Sequence, residues 1–193
     1  VIVGVPISAT CDAIRLVGPM MNRKSLLMDL TSLKAEPVKA MLESSTSEVI
    51  GLHPLFGPDV PSLEGQNIVL CPARGTTWLP RVKELFLSRG AQLVEASPER
   101  HDELMAFVQV LTHLNTITMG LALRDADIPQ GELENFSTPI FRARLASIEK
   151  IFLKNPRLYS EVIASNPYTP KIMALYGDAL RRLEETVGTG KAE

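Results

Sequence analysis

The chain has 193 residues, 45% of them hydrophobic, which is enough apolar material for one large buried core or two smaller ones. Twenty Lys and Arg against 22 Asp and Glu leave a formal charge of -2 with no basic block, which argues against a nucleic-acid partner or an anionic membrane surface. The longest apolar runs, such as Val1 to Ile7, are too short to span a bilayer, and no charged segment with an apolar core and cleavage site opens the chain, so a cytoplasmic protein is expected.

Val1 to Ile7 is a β-branched run closed by Pro6, the pattern of a strand buried on both faces of a parallel sheet. The chain opens within this strand pattern, without methionine or a preceding turn, as a sequence starting inside a domain does. Ser8 or Thr10 is placed to cap a helix over Cys11 to Val17, and Ser25 to Leu30 supplies the next buried strand. A helix from about Ala35 to Leu42, with Pro37 in its first turn, leads to a strand over Glu48 to Leu52. This alternation brings Pro6, Ser32 and His53 to the carboxyl edge of the sheet, where open α/β sheets hold their ligands. His53 stands in the stretch Gly51 to Asp59, with apolar strand residues running in and a glycine and proline turn behind. That is a way to present an imidazole to a cleft; a surface turn with a bystander histidine is the bland alternative.

Asn67 to Cys71 and Gln92 to Glu95 read as strands flanking a helix from about Trp78 to Ser88 that Gly90 stops in a left-handed conformation. Trp78, at the helix start, is explained by packing or anchoring. Cys11 and Cys71 read as two reduced thiols, and no metal-ligand spacing is present.

From Ser97 the periodicity changes. A Ser cap, Pro98 and Glu99 announce a helix to about Arg124. Leu104, Val108, Leu111, Leu114, Thr118 and Leu121 recur at helical spacing while Met105, Phe107 and Met119 occupy other faces, so burial nearly all round is expected. Pro139 to Leu153, Arg157 to Ala164 and Thr169 to Val187 are further amphipathic segments, broken at Asn155-Pro156 and Asn166-Pro167. One subunit has too little to cover that apolar surface, and a homodimer is expected. The tail Gly188 to Glu193 should be loose. The reading is α/β plus all-α: residues 1–96 form a mostly parallel sheet with helices, and residues 97–193 a helical domain.

Gln109 and His113 are four apart on one helical face, which suits either a buried hydrogen-bond pair or the wall of a site. Arg142 and Lys150 are eight apart and close to one face, so they suit a dianionic ligand or plain solvation.

Val3 to Pro6, Asp29 to Lys34, Gly51 to Asp59, His101 to Gln109, His113, and Ser137 to Arg142 come in the order and spacing of prephenate dehydrogenases. From Val1 to about Leu183 the chain resembles that family, most of all the bacterial branch sometimes fused to chorismate mutase, of which no segment is present. The resemblance implies an incomplete Rossmann-like domain and a helical dimerisation domain. It also implies NAD-dependent oxidative decarboxylation of prephenate to 4-hydroxyphenylpyruvate, a step toward tyrosine. His53 would accept the 4-hydroxyl proton and Ser32 would orient both His53 and that hydroxyl. Pro6 and Ser32 would lie against the nicotinamide, and His113, Gln109, Arg142 and Lys150 would bind substrate. Two departures stand out. Lys150 occupies the place of a carboxylate-binding arginine, and an ammonium makes no planar bidentate pair. No Gly-x-Gly-x-x-Gly turn is present to seat a pyrophosphate and no acidic residue follows a second strand to read the ribose 2′ position, so NADP stays open beside NAD. A non-catalytic module binding an aromatic ligand without NAD, and an arogenate dehydrogenase, are the competing readings.

Overall fold

In the computed structural model, which describes residues 1–189 of the chain, five strands form one sheet in the order β1-β2-β3-β4-β5. They are β1 (Ile2–Val3), β2 (Leu26–Asp29), β3 (Glu48–Pro54), β4 (Asn67–Arg74) and β5 (Gln92–Glu95). All neighbours are parallel except β3 and β4. Helices α1 (Ile7–Val17), α2 (Ala35–Ser44) and α3 (Trp78–Leu87) connect them.

Strand alternation divides the core in two. Leu27, Val49, Val69 and Cys71 pack with Ile14 of α1 and with Val38 and Met41 of α2. Met28, Ile50, Leu52, Ile68 and Leu70 point the other way and pack with Val82 of α3. Ile50, Ile68 and Leu70 are each at most 2% exposed, and burying such a side chain contributes roughly 1.5–3 kcal/mol. Asp29, Gly51 and His53 therefore share the face covered by α2. Gly51 is what lets that helix approach: a Cβ there would lie 2.7 Å from Val38 and 3.0 Å from Lys34.

Several boundaries differ from the expectations. β1 is two residues at the sheet edge, and of the run Val1 to Ile7 only Val3 is buried, because a strand with one neighbour is not covered on both sides. α1 starts at Ile7 behind Pro6, and Thr10 is no cap; from inside the helix its hydroxyl donates to the carbonyl of Pro6 at 3.0 Å. β3 runs on through Pro54, so His53 lies within the strand rather than in a turn behind it. Gly90 has φ +78° and ends the α3 connection as the sequence requires. Trp78 does anchor its helix, donating its indole N–H to the carbonyl of Lys24 at 2.9 Å. Both cysteines are free thiols.

The sheet and its helices make up the first of two compact units, Val1–Leu104; the second starts at Met105. The helix begun at Pro98 thus gives residues 98–104 of α4 (Pro98–Met105) to the sheet unit, downstream of the composition change at Ser97. The helical unit continues with a π-helical segment Ala106–Leu111, α5 (Thr112–Asp125), α6 (Gln130–Asn135) and α7 (Pro139–Glu149). A second π segment, Lys150–Lys154, then α8 (Pro156–Ser165) and α9 (Thr169–Thr189) complete it. Ala106, Val110 and Ile172 are its buried centre. Both Pro starts carry side-chain caps: Thr138 accepts from the N–H of Phe141 and Asn155 from that of Leu158, each at 3.2 Å. α9 includes Gly188 and Thr189, and the rest of the expected loose tail, 190–193, lies outside the described residues.

Burial nearly all round does not hold for Pro98–Asp125 in the single chain, where Phe107 is 42% and Val108 57% exposed. With an 18-residue stretch of mean hydropathy 1.3, this helix is also long and apolar enough to cross a membrane by length and composition alone. Run length missed this because Thr, His, Gln and Asn interrupt the apolar stretch without making it polar on average.

Candidate active site

Parallel pairing of β1, β2 and β3 brings their carboxyl ends to one edge: Val3 is beside Asp29, and Asp29 beside Gly51. Pro6, half-buried Ser32 and His53 follow those three positions, as expected from the strand alternation. His53 is 3% exposed. Its Nδ1 lies 2.9 Å from Nε2 of His101, the two rings edge to face with centroids 5.1 Å apart. Nδ1 of His101 lies 2.7 Å from Oδ1 of Asp102. His101 and Asp102 are 1% and 2% exposed.

Asp102 in turn holds the start of α2. Its Oδ1 accepts the N–H of Lys34 at 2.8 Å and its Oδ2 that of Ala35 at 2.9 Å, satisfying donors that a helix start otherwise leaves open. Beneath His53, the fully buried Lys34 ammonium donates to Asp29 and, at 3.0 Å, to the carbonyl of Leu52. Asp29 also accepts the N–H of Thr31 at 3.0 Å, a bond that shapes the turn leading to Ser32. Burial pushes His53 down from 6.5 to about 3, with the charges of His101 and Lys34 acting in the same direction. The ring is thus neutral at physiological pH, the form a proton acceptor requires.

The sequence missed His101 and Asp102. Helical spacing sets His101 about a third of a turn from the face of Gln109 and His113, and the fold turns it to His53, 48 residues away. The adjacent His-Asp pair at a capped helix start was the available signal. Since His101 occupies Nδ1 of His53, a hydrogen bond between Ser32 and that ring would have to use Nε2.

In the helical unit, Gln109 lies within the first π segment and Lys150 opens the second. His113 follows one turn on, in α5, so the four-residue step from Gln109 still brings the two near one face of the helix. His113 is half-buried against Tyr159, edge to face at 4.8 Å, and burial lowers its pKa. Arg142 and Lys150 are exposed, and the Arg142 guanidinium donates to the carbonyl of Ser137 at 3.0 Å.

A cavity of about 460 Å³ opens at the opposite end of β3, lined by Arg23, Ser47, Glu48 and Arg74 among others. There Arg74 donates to the carbonyls of Leu42, Ser45 and Ser47, and so ties the end of α2 to the sheet. Its position away from the carboxyl edge gives it no part in the site around His53.

Residues 1–95 match the family model for the nucleotide-binding domain of prephenate dehydrogenase, and residues 97–193 match that for its dimerization domain. The chain is 36% identical over 193 residues to the T-protein of Enterobacter agglomerans, covering 96% of this chain and 50% of that protein. It is 35% identical over 192 residues to a probable arogenate/prephenate dehydrogenase of Methanocaldococcus jannaschii, covering 97% of this chain and 43% of that one. It thus spans about half the length of these curated relatives. Its fold is similar to that of prephenate dehydrogenase from Aquifex aeolicus in complex with hydroxyphenyl propionate and NAD+, with a TM-score of 0.81 at 20% identity, over 98% of this chain and 68% of that one.

Proposed function

From the premise that this chain belongs to the prephenate dehydrogenase family, we propose that it takes part in oxidative decarboxylation of prephenate to 4-hydroxyphenylpyruvate, with NAD or NADP as oxidant. The observation that carries the proposal is a neutral, buried imidazole, His53, at the carboxyl edge of parallel strands. At that place an imidazole accepts a hydroxyl proton as the carbon bearing the hydroxyl is oxidised. Loss of the ring carboxylate as carbon dioxide aromatises the product and makes the step effectively irreversible.

The same edge fits the nicotinamide end of a dinucleotide. Thr31 is 7% exposed with a buried hydroxyl that makes no hydrogen bond among the described residues, and Pro6 follows the neighbouring strand. A carboxamide would satisfy such a hydroxyl. Pro6, Thr31 and Ser32 would hold the ring, whose chemistry is to accept a hydride. The described residues contain no glycine-rich turn for a pyrophosphate, so the fit covers this end only.

Ser32 orients the substrate hydroxyl toward His53. From the helical unit, His113 and Gln109 bind the substrate, and Arg142 and Lys150 answer its two carboxylates as cations. With an ammonium at Lys150, recognition there is by charge rather than by a bidentate fork. The enzyme works as a cytoplasmic homodimer, in keeping with the dimerization domain whose model it matches.

NADH formation from prephenate and NAD tests the proposal. Turnover is expected, and His53→Asn should reduce it about 10²–10⁴-fold while the dimer persists. No turnover by the natural protein, or an undiminished rate in that variant, would sink it. Faster turnover of arogenate would move the substrate assignment.

A further inference from the structure

His53, His101 and Asp102 form a buried series in the sheet unit, and the resemblance gives the last two no role. The two oxygens of Asp102 accept backbone N–H groups at the start of α2, where the helix dipole favours negative charge. A carboxylate only accepts, so its contact with His101 requires the proton of that ring on Nδ1. A neutral His101 then offers a bare Nε2, and the proton in the 2.9 Å contact must come from Nδ1 of His53. A neutral His53 carrying its proton on Nδ1 has its lone pair on Nε2.

We propose that Asp102 and His101 are positioning residues that fix, through two successive rings, the tautomer in which Nε2 of His53 is the basic nitrogen. The proposal rests on the reading of His53 as the proton acceptor and explains how one nitrogen of it is selected. The charges of His101 and Lys34 both act on His53, and Lys34 cannot set the tautomer because its ammonium is engaged with Asp29 and the carbonyl of Leu52. When Nε2 takes the substrate proton, the bond from Nδ1 to His101 keeps its direction. The Asp102 carboxylate then faces the new positive charge across one intervening ring, in surroundings where water screens it little. A cationic His101 would reverse the arrangement, donating from Nε2 and forcing the proton of His53 onto its own Nε2, where it could accept nothing.

Nitrogen-15 spectra of the histidine-labelled protein test this directly, since it contains three imidazoles and single substitutions assign them. At neutral pH, His53 and His101 should both be protonated on Nδ1 and bare on Nε2. Protonation of His53 on Nε2, or a cationic His101, overturns the proposal. In turnover, Asp102→Asn should lower kcat about 10²–10⁴-fold with KM little changed, and Asp102→Glu should recover part of the loss. A wild-type kcat in Asp102→Asn also overturns it. The spectra need no turnover, so the two ideas fail separately: the expected tautomers in a protein indifferent to His53→Asn would overturn only the reading of His53 as the acceptor.

Discussion

Lys34 and Asp29 form an ion pair with both side chains fully buried, and the same ammonium holds the carbonyl of Leu52, the residue before His53. The pair thus fixes the end of β2, the start of α2 and the carboxyl end of β3 at one point. Burial pushes the Asp29 carboxyl up and the Lys34 amine down, against their mutual attraction.

Removing one partner strands the other. Lys34→Met should cost about 3–5 kcal/mol by leaving an uncompensated carboxylate in the core, while Lys34→Met combined with Asp29→Leu should recover much of that. Urea unfolding reads both through the midpoint at constant slope. Equal losses in the single and double variants would show that the carboxylate is not the source of the cost.

His53 links acidity to stability. Its pKa falls from 6.5 to about 3 on folding because burial disfavours the charged ring. Between those values the unfolded chain binds the proton and the native state does not, so stability is intact above pH 6.5 and declines as pH drops toward 3. His53→Asn should flatten the pH dependence of the unfolding midpoint in that window relative to wild type. Parallel curves for the two proteins would show that the native ring titrates like an exposed one.

Gly51 should tolerate no side chain. A Cβ would sit 2.7 Å from Cγ2 of Val38 and 3.0 Å from Cδ of Lys34, neither with room to retreat: Val38 is 3% exposed and Lys34 is locked in its pair. Gly51→Ala should therefore cost about 1–3 kcal/mol as overpacking. It should also lower turnover, because the strand it displaces carries His53. Thermal unfolding with activity at saturating substrate checks both, and an unchanged melting temperature would mean that α2 yields.

How much of this was legible in the sequence follows from the range of the interactions. Pro6, Ser32 and His53 meet at one edge because parallel pairing makes that outcome a matter of strand order, and β-branched runs reveal strands. The Asn-Pro breaks are local signals and appear where expected. His101 and Asp102 bind partners 48 and 68 residues away, and no periodicity encodes which way an isolated His-Asp pair will face. The π segments escaped for a related reason: their sequences keep helical spacing, and only the packed chain shows the wider turns. The edge position of β1 was hidden because an apolar run does not say how many neighbours it has.

The last helix carries the clearest prediction for assembly. On α9, Met173, Tyr176, Leu180, Leu183 and Val187 alternate in steps of three and four, the spacing of a coiled-coil seam. Tyr176 is half-buried, while Leu180 is 45% and Leu183 59% exposed in the single chain, so the stripe is a made surface without a cover. Because residues 97–193 match a dimerization domain, the expected cover is a second copy of the chain. Leu180→Glu combined with Leu183→Glu removes four leucines per dimer. At roughly 1.5 kcal/mol or more for each, that weakens association by about 6 kcal/mol, or some 10⁴-fold. Light scattering at micromolar concentration should then find a monomer, with helix content by circular dichroism unchanged because neither position is buried within the chain. A variant that remains dimeric would put the interface elsewhere, with the exposed Phe107 and Val108 of the first π segment as the next candidates.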